Sequence, residues 1–431
     1  MEPLPIENIE FEKPVLLNDE ENKNKIEEKN ENQIILDEEK KEEEKEEIEE
    51  DDIKLELKEE EQIEIKNEND LDKIKPTCDR IEISDLKSGK IMEKLNNIKF
   101  EKLEILSLSN TSVNKIDFLI NEKYKTLIIL ELKGNKEKEE DKNNKDNIIE
   151  EDTKINSIDD ISKVSTKDLK VLDLSNNNIS SINEISKALF KELEILILSG
   201  NLIKDINPIP DGSFTKLKKL DLSGNNITSI DCLAAHDSLQ NLESLYLNDN
   251  KINNISVLKN GIFKLLKELQ LSNNELETID ALRDTPFTEL KELNLYGNKI
   301  KFIDALTNNN LKQLKILILG KNLIDNINPL NNCAFKDLEK LDLFDNKITN
   351  IDNLVNAPFK ESINELDLSF NKLKSVTILI GKTDNENVFT KTFSKLKDLR
   401  IEGNEYLDYS QNNIKNVYDT YKIKYTYNAI L

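Results

Sequence analysis

The sequence predicts an α/β solenoid, a horseshoe-shaped coil with a parallel β-sheet on its concave face and short helical or irregular segments on its convex face. Three observations predict it. The stretch "LKKLDLSGNNITSIDCL" sets apolar residues at Leu217, Leu220, Leu222, Ile227, Ile230 and Leu233, a spacing that neither a 3.6-residue helix nor a 2-residue strand sustains. Nearly the same stretch returns at Leu290 as "LKELNLYGNKIKFIDAL". Self-similarity at a fixed period of this length is the mark of a stacked repeat.

Aligned on the first leucine, units start at Leu103, Leu127, Leu169, Leu193, Leu217, Leu242, Leu266, Leu290, Leu314, Leu338, Ile363 and Leu396, twelve in all. Successive starts lie 24 or 25 residues apart, except for 42 after Leu127 and 33 after Ile363. Those two units carry inserts, near residues 136–153 ("KEKEEDKNNKDNIIEEDT") and 381–392, both expected to loop out of the coil.

The consensus is LxxLxLxxNxIxxIxxL. In "LDL", Leu220 and Leu222 point to one side of a strand while Lys219 and Asp221 point to the other. Ile227, Ile230 and Leu233 return apolar groups to the same interior, and Phe214 fills the far corner before the next strand. One unit cannot bury this face alone, but stacked neighbours cover it on both sides. The asparagine follows from the turn out of the strand, where buried N–H and C=O groups need a side chain that both donates and accepts. Asn135, Asn177, Asn201, Asn225, Asn250, Asn274, Asn298, Asn322, Asn346, Asn371 and Asn404 supply it. The first unit has Thr111 instead and is expected to turn imperfectly.

This pattern resembles the leucine-rich-repeat family over residues 76–431, in its cytosolic form with a 24-residue unit. The resemblance implies twelve leucine-rich repeats over residues 103–404. The Ile-rich NxIxxI core is distantly similar to that of the leucine-rich-repeat regulatory subunit of protein phosphatase 1, whose shorter unit this period departs from.

Solenoid ends expose core and need covers. Residues 76–102 are the expected N-terminal cap, with Ile81, Ile83, Leu86, Ile91 and Leu95 over the first coil. Residues 405–431, rich in tyrosine, are the expected C-terminal cap, with Ile414, Val417 and Tyr421 at helical spacing. Residues 1–75 carry 30 acidic residues against 12 lysines, a net of −18, leaving 85−30=55 acidic against 61−12=49 basic residues elsewhere. Such a segment buries too little apolar area to offset ordering and is expected to be a disordered or transiently helical tail. Its Ile53, Leu55, Leu57, Ile63 and Ile65 are candidate short anchors for a basic partner.

Composition narrows the function. The near-balanced repeats carry no Lys/Arg stripe, which argues against nucleic acid. No apolar run approaches the length of a membrane span, and the N-terminus lacks a signal-like pattern, so a cytoplasmic, membrane-free and monomeric protein is expected. Cys78, Cys232 and Cys333 are odd in number and widely spaced, as reduced thiols are. With His236 the single histidine, no triad, His-pair base or His-rich metal site can be assembled. No phosphate loop, dinucleotide fingerprint or zinc spacing appears. Neither an enzyme nor a cofactor or metal protein is expected.

The third and fifth residues of each LxxLxL face outward on the concave sheet and describe the candidate binding surface. The third column opens with Ile105, Ile129, Val171 and Ile195, and Ile316 follows later; the fifth holds Ile197, Tyr246 and Ile318. Just past the strands, Tyr296, Phe344 and Phe370 stand where most units have Ser, Gly, Asn or Asp. Apolar rows beside acidic groups point to a protein or peptide partner with basic and apolar side chains. The expected role is a non-catalytic scaffold or adaptor that binds its partner in the concavity. A phosphatase regulatory subunit and a cytoskeletal or ciliary structural component are the alternatives.

Overall fold

Each repeat contributes one short strand, because only the LxL triplet alternates long enough to enter a sheet. The computed structural model describes residues 62–134, 153–209, 214–234, 237–260, 262–382, 389–407 and 412–422. Asn135, His236, nearly all of the 136–153 insert and the chain before residue 62 lie outside them. In chain order, β1 (Gln62–Ile65) and β2 (Arg80–Ser84) come first. The twelve units then supply β3 (Ile105–Ser109), β4 (Ile129–Glu131), β5 (Val171–Asp173), β6 (Ile195–Ile197), β7 (Lys219–Asp221) and β8 (Ser244–Tyr246). They continue with β9 (Glu268–Gln270), β10 (Glu292–Asn294), β11 (Ile316–Ile318), β12 (Lys340–Asp342) and β13 (Glu365–Asp367). After a hairpin of β14 (Ile380–Lys382) and β15 (Phe389–Lys391), β16 (Asp398–Arg400) completes the set. Among the described residues β1–β13 and β16 form one 14-stranded sheet in sequence order. Every pairing in it is parallel, and equivalent leucines align, as in Leu196↔Leu220 and Leu220↔Leu245.

The first two strands correct the expected boundary at residue 75. The solenoid begins at least at Gln62, since β1 pairs with β2 and Ile65, Leu71 and Ile74 are buried in the core. "QIEI" and "RIEIS" are the same strand phrase in two consecutive rungs; the heavy charge around the first one hid it from a composition-based reading. Helix α1 (Lys90–Asn97) turns Ile91 and Leu95 inward. Lys123 Nζ donates to the carbonyls of Leu95 (2.6 Å) and Asn96 (3.1 Å), satisfying the helix's last turn.

Behind the sheet, the leucines and isoleucines of every rung join one continuous core. Its far edge is a column of fully buried rings, among them Phe190, Phe214, Phe263, Phe287, Phe335, Phe359 and Phe393. Phe335 and Phe359 stack with centroids 5.9 Å apart. The asparagines perform the expected task. Asn250 Nδ2 donates to the carbonyls of Leu222 (2.9 Å), Leu247 (3.2 Å) and Asn248 (3.1 Å), while its Oδ1 accepts from Ile227 N (2.9 Å). Each carboxamide therefore ties its own turn to the preceding rung. Thr111 Oγ1 only accepts from Val113 N, at 3.4 Å.

The second insert does not merely loop out: its stem is the antiparallel β14–β15 pair, with Ile380 opposite Lys391. Helix α2 (Asn412–Tyr421) lies by it with Ile414, Val417 and Tyr421 buried. Tyr421 Oη donates to Leu379 O (2.6 Å) and accepts from Phe393 N (3.2 Å).

Candidate functional site

Alternation along each strand puts the consensus leucines into the core and the third and fifth residues on the opposite, concave side. None of Ile105, Ile129, Val171, Ile195, Ile197, Tyr246, Tyr296, Ile316, Ile318, Phe344 and Phe370 belongs to the core cluster that holds Leu106, Leu130, Leu172 and Leu196. Facing away from the core does not make them accessible, however.

The apolar row that the sequence offers as an exposed recognition surface is buried. Ile105 is 5% exposed, Val171 2%, Ile195 6% and Ile197 5%. The register supplies a physical reason: Ile105, Ile129, Val171 and Ile195 are direct neighbours across β3–β6. At about 4.8 Å between strands, β-branched side chains in one column pack flank to flank. Lys219 continues the row and is also buried, its ammonium 4.9 Å from the centre of the Tyr246 ring.

The face opens further along. The third column is buried through Ser244, then half-buried at Glu268, Glu292, Ile316, Lys340 and Asp398 and exposed at Glu365. Tyr246 is half-buried in the fifth column, where Ile318 is buried. Past the strand ends, Tyr296 and Phe344 are buried and Phe370 half-buried. Phe344 and Phe370 meet edge to face at 5.3 Å. Phe370 sits at φ 54°, a left-handed conformation costly for a bulky side chain. Gly403, in the next rung, leaves room for its ring: a Cβ there would lie 2.8 Å from Phe370 Cδ1.

Many polar fifth-column residues serve the fold. Asp173 accepts from Ser175 N (2.8 Å), Asp221 from Ser223 N (2.8 Å), Asn294 from Tyr296 N (3.0 Å), Asp342 from Phe344 N (2.8 Å) and Asp367 from Ser369 N (2.9 Å). These side chains cap the turn two residues on. An Asp or Asn at that distance before the turn is the signal that could have separated turn caps from recognition groups. Burial pushes the Asp221 carboxyl above its ordinary range, and pushes Asp367 up to about 6.

Acidic groups of the open half take both charged and neutral partners. Glu365 pairs with Lys340 (4.0 Å), and Asp367 and Asp398 pair with Arg400 (3.7 and 3.0 Å). Glu268 and Glu292, in register on β9 and β10, are met by neutral donors. Tyr246 Oη donates to Glu268 Oε2 (2.6 Å), and Gln270 Nε2 donates to Glu292 Oε1 (2.8 Å). Sequence reading passed over Glu268, Gln270 and Glu292, although like charges in adjacent units of one column were visible.

Among the described residues no group of three or more His, Cys, Asp or Glu side chains is placed to hold a metal ion, and no helix is long and apolar enough to cross a membrane. A family model of leucine-rich repeats, in two copies, matches residues 167–212, 191–235, 215–260 and 264–308. The solenoid is built of leucine-rich repeats. An internalin of Listeria monocytogenes has the same fold, with a TM-score of 0.57 at 21% identity over 80% of this chain and 89% of that one. A leucine-rich-repeat protein of Leptospira interrogans gives 0.56 at 22% identity, over 78% and 81%. At such identities the likeness is one of fold. No protein of curated function matches the sequence.

Proposed function

We propose that this leucine-rich-repeat protein is a non-catalytic scaffold that binds a protein partner in the open half of its concavity, between Tyr246 and Arg400. The observation that carries the reading is the change in accessibility along one continuous sheet. Third-column side chains are buried up to Ser244 and reachable from Glu268 onward. The reachable stretch mixes Ile316 and Phe370 with Glu268, Glu292 and Glu365, a combination suited to a chain with apolar anchors and positive charge. A rigid curved sheet holds such groups in fixed register and asks for no rearrangement on binding.

The test is capture of partners from the native extract with the full chain and with its Ile316→Glu variant. A partner held in stoichiometric amount by the parent and lost by the variant is the expected result. Equal retention by a folded variant would remove the open concavity as the binding surface. Recovery of a phosphatase catalytic subunit would narrow the role to enzyme regulation, and recovery of filament proteins to a structural one.

A further inference from the structure

We infer that the flank of the solenoid just past the asparagine turns, from Lys299 to Lys374, is a docking surface for an extended acidic segment of a partner protein that carries one apolar anchor. The surface lies outside the concavity and does not rest on the role proposed for it.

Between the ladder asparagine and the second apolar residue after it, three positions of each unit face outward, because the residues around them turn into the core. In the unit that starts at Leu290, Asn298, Ile300 and Ile303 are buried while Lys299, Lys301 and Phe302 are exposed. Backbone bonds tie this flank from rung to rung: Leu323 N donates to Ile300 O (2.9 Å), Lys347 N to Ile324 O (2.8 Å) and Lys372 N to Ile348 O (2.9 Å). Over these four units the outward positions carry Lys299, Lys301, Lys347, Lys372 and Lys374 against Asp325 alone, all exposed. Of the lysines, Lys299 shares its charge with Glu275 at 3.4 Å. The same positions of the four preceding units hold Lys204 and Lys251 against Asp205, Glu275 and Glu277. In a chain of net charge −24 this is a local reversal of sign, and the near balance of the repeats as a whole conceals it.

Apolar groups stand among these charges. Phe302 is 61% exposed and Leu323, in the next rung, 38%. A scattered surface leucine means little, but a phenyl ring this exposed, with Lys301 Nζ 5.3 Å from its centre, sits in a positively charged setting. The fitting occupant brings negative charge and an apolar side chain together. The N–H and C=O groups named above are already bonded between rungs, so side chains carry the recognition. An anionic lipid surface matches less well, because it would press Asp325, two residues from Leu323, against charge of its own sign. A peptide can leave that position uncharged. Leu323 and Lys372 are two rungs apart, about 10 Å, which three residues of extended chain cover. The fitting sequence is therefore an apolar residue followed by carboxylates two to four positions on.

The experiment uses the full chain and a fluorescein-labelled peptide, Gly-Ser-Leu-Ser-Glu-Glu-Glu-Gly, followed by fluorescence anisotropy at physiological salt. Two further peptides carry glutamine for the glutamates or glycine for the leucine. The glutamate peptide should bind, the glutamine peptide about tenfold and the glycine peptide about threefold more weakly. Lys347→Glu with Lys372→Glu and Lys374→Glu, all at exposed positions, should weaken the glutamate peptide about tenfold with an unchanged melting temperature. Phe302→Ser should abolish the difference between the leucine and glycine peptides. Lys312→Glu with Lys336→Glu and Lys360→Glu, exposed where the chain enters the strands, should leave binding unchanged, as should Ile316→Glu in the concavity. Equal binding of the glutamate and glutamine peptides would overturn the surface. So would an equal loss in the second lysine triple, since the attraction would then be diffuse, or a loss in Ile316→Glu, which would move the peptide into the concavity. Binding of phosphatidylserine vesicles or of a labelled oligonucleotide without the peptide, lost in the first triple, would overturn the acidic-segment assignment. If the first triple does not fold, Lys372→Glu with Lys374→Glu is read in the same way.

Discussion

The two halves of the concave sheet share one register and one repeat, yet they differ in what a partner can touch. From β3 to β8 the column of Ile105, Ile129, Val171, Ile195, Lys219 and Ser244 is buried. From β9 to β13 and at β16 the same column is half-buried or exposed at every strand. The strands pair identically in both halves, so side-chain chemistry makes the difference. Compact β-branched groups in consecutive rungs close against one another. Long charged groups repel or reach toward solvent and leave the surface open. The lesson is that an apolar row on an outward strand face can be a second packing layer rather than an interface. On this molecule the less apolar half is the better candidate for binding.

The largest effect should come from charging the closed half. Ile195→Glu with Ile197→Glu places two carboxylates in positions at most 6% exposed. The loss should be on the order of 4 kcal/mol or more, seen as a lowered urea midpoint or an unfolded product. Ile316→Glu, half-buried in the open half, should cost about 1 kcal/mol or less. A double variant as stable as the parent would mean that the closed half is not closed.

An intermediate effect is expected from the asparagine ladder, which both halves share. Asn250→Ala removes four hydrogen bonds from buried backbone groups and should lower stability by about 1–3 kcal/mol. Thr111→Ala, where the side chain makes one long bond to the turn after β3, should cost less than Asn250→Ala in the same denaturation series. Equal costs would show that the ladder does not strengthen inward from the N-terminal end.

The smallest effect is a pH dependence read at Asp367, in the open half. Burial raises the Asp367 carboxyl from an ordinary 3.8 to about 6 in the folded chain. The folded state therefore binds a proton more tightly than the unfolded one. The stabilisation this gives is fully present below the unfolded value and is lost as pH rises from about 4 through 6. Asp367→Asn should flatten that part of the stability curve, and its melting temperature should gain on the parent's between pH 5 and pH 7.5. An unaltered slope would place the titration elsewhere, with Asp221, also raised by burial, as the next group to test.

The repeat by itself determined the coil. Strand positions, inward leucines, the buried phenylalanine column and the asparagine turns are all local consequences of a 24-residue pattern that cannot bury its apolar face except by stacking. The sequence also contained β1, but its apolar Ile63 and Ile65 were read inside a charged window, and only pairing with β2 revealed a further rung. Accessibility along the concave face was left to the tertiary structure, because it depends on which residues become neighbours across rungs roughly two dozen positions apart. Alternation says which way a side chain points. Only the stacked sheet decides whether its neighbours cover it, as at Ile195, or leave it reachable, as at Glu268.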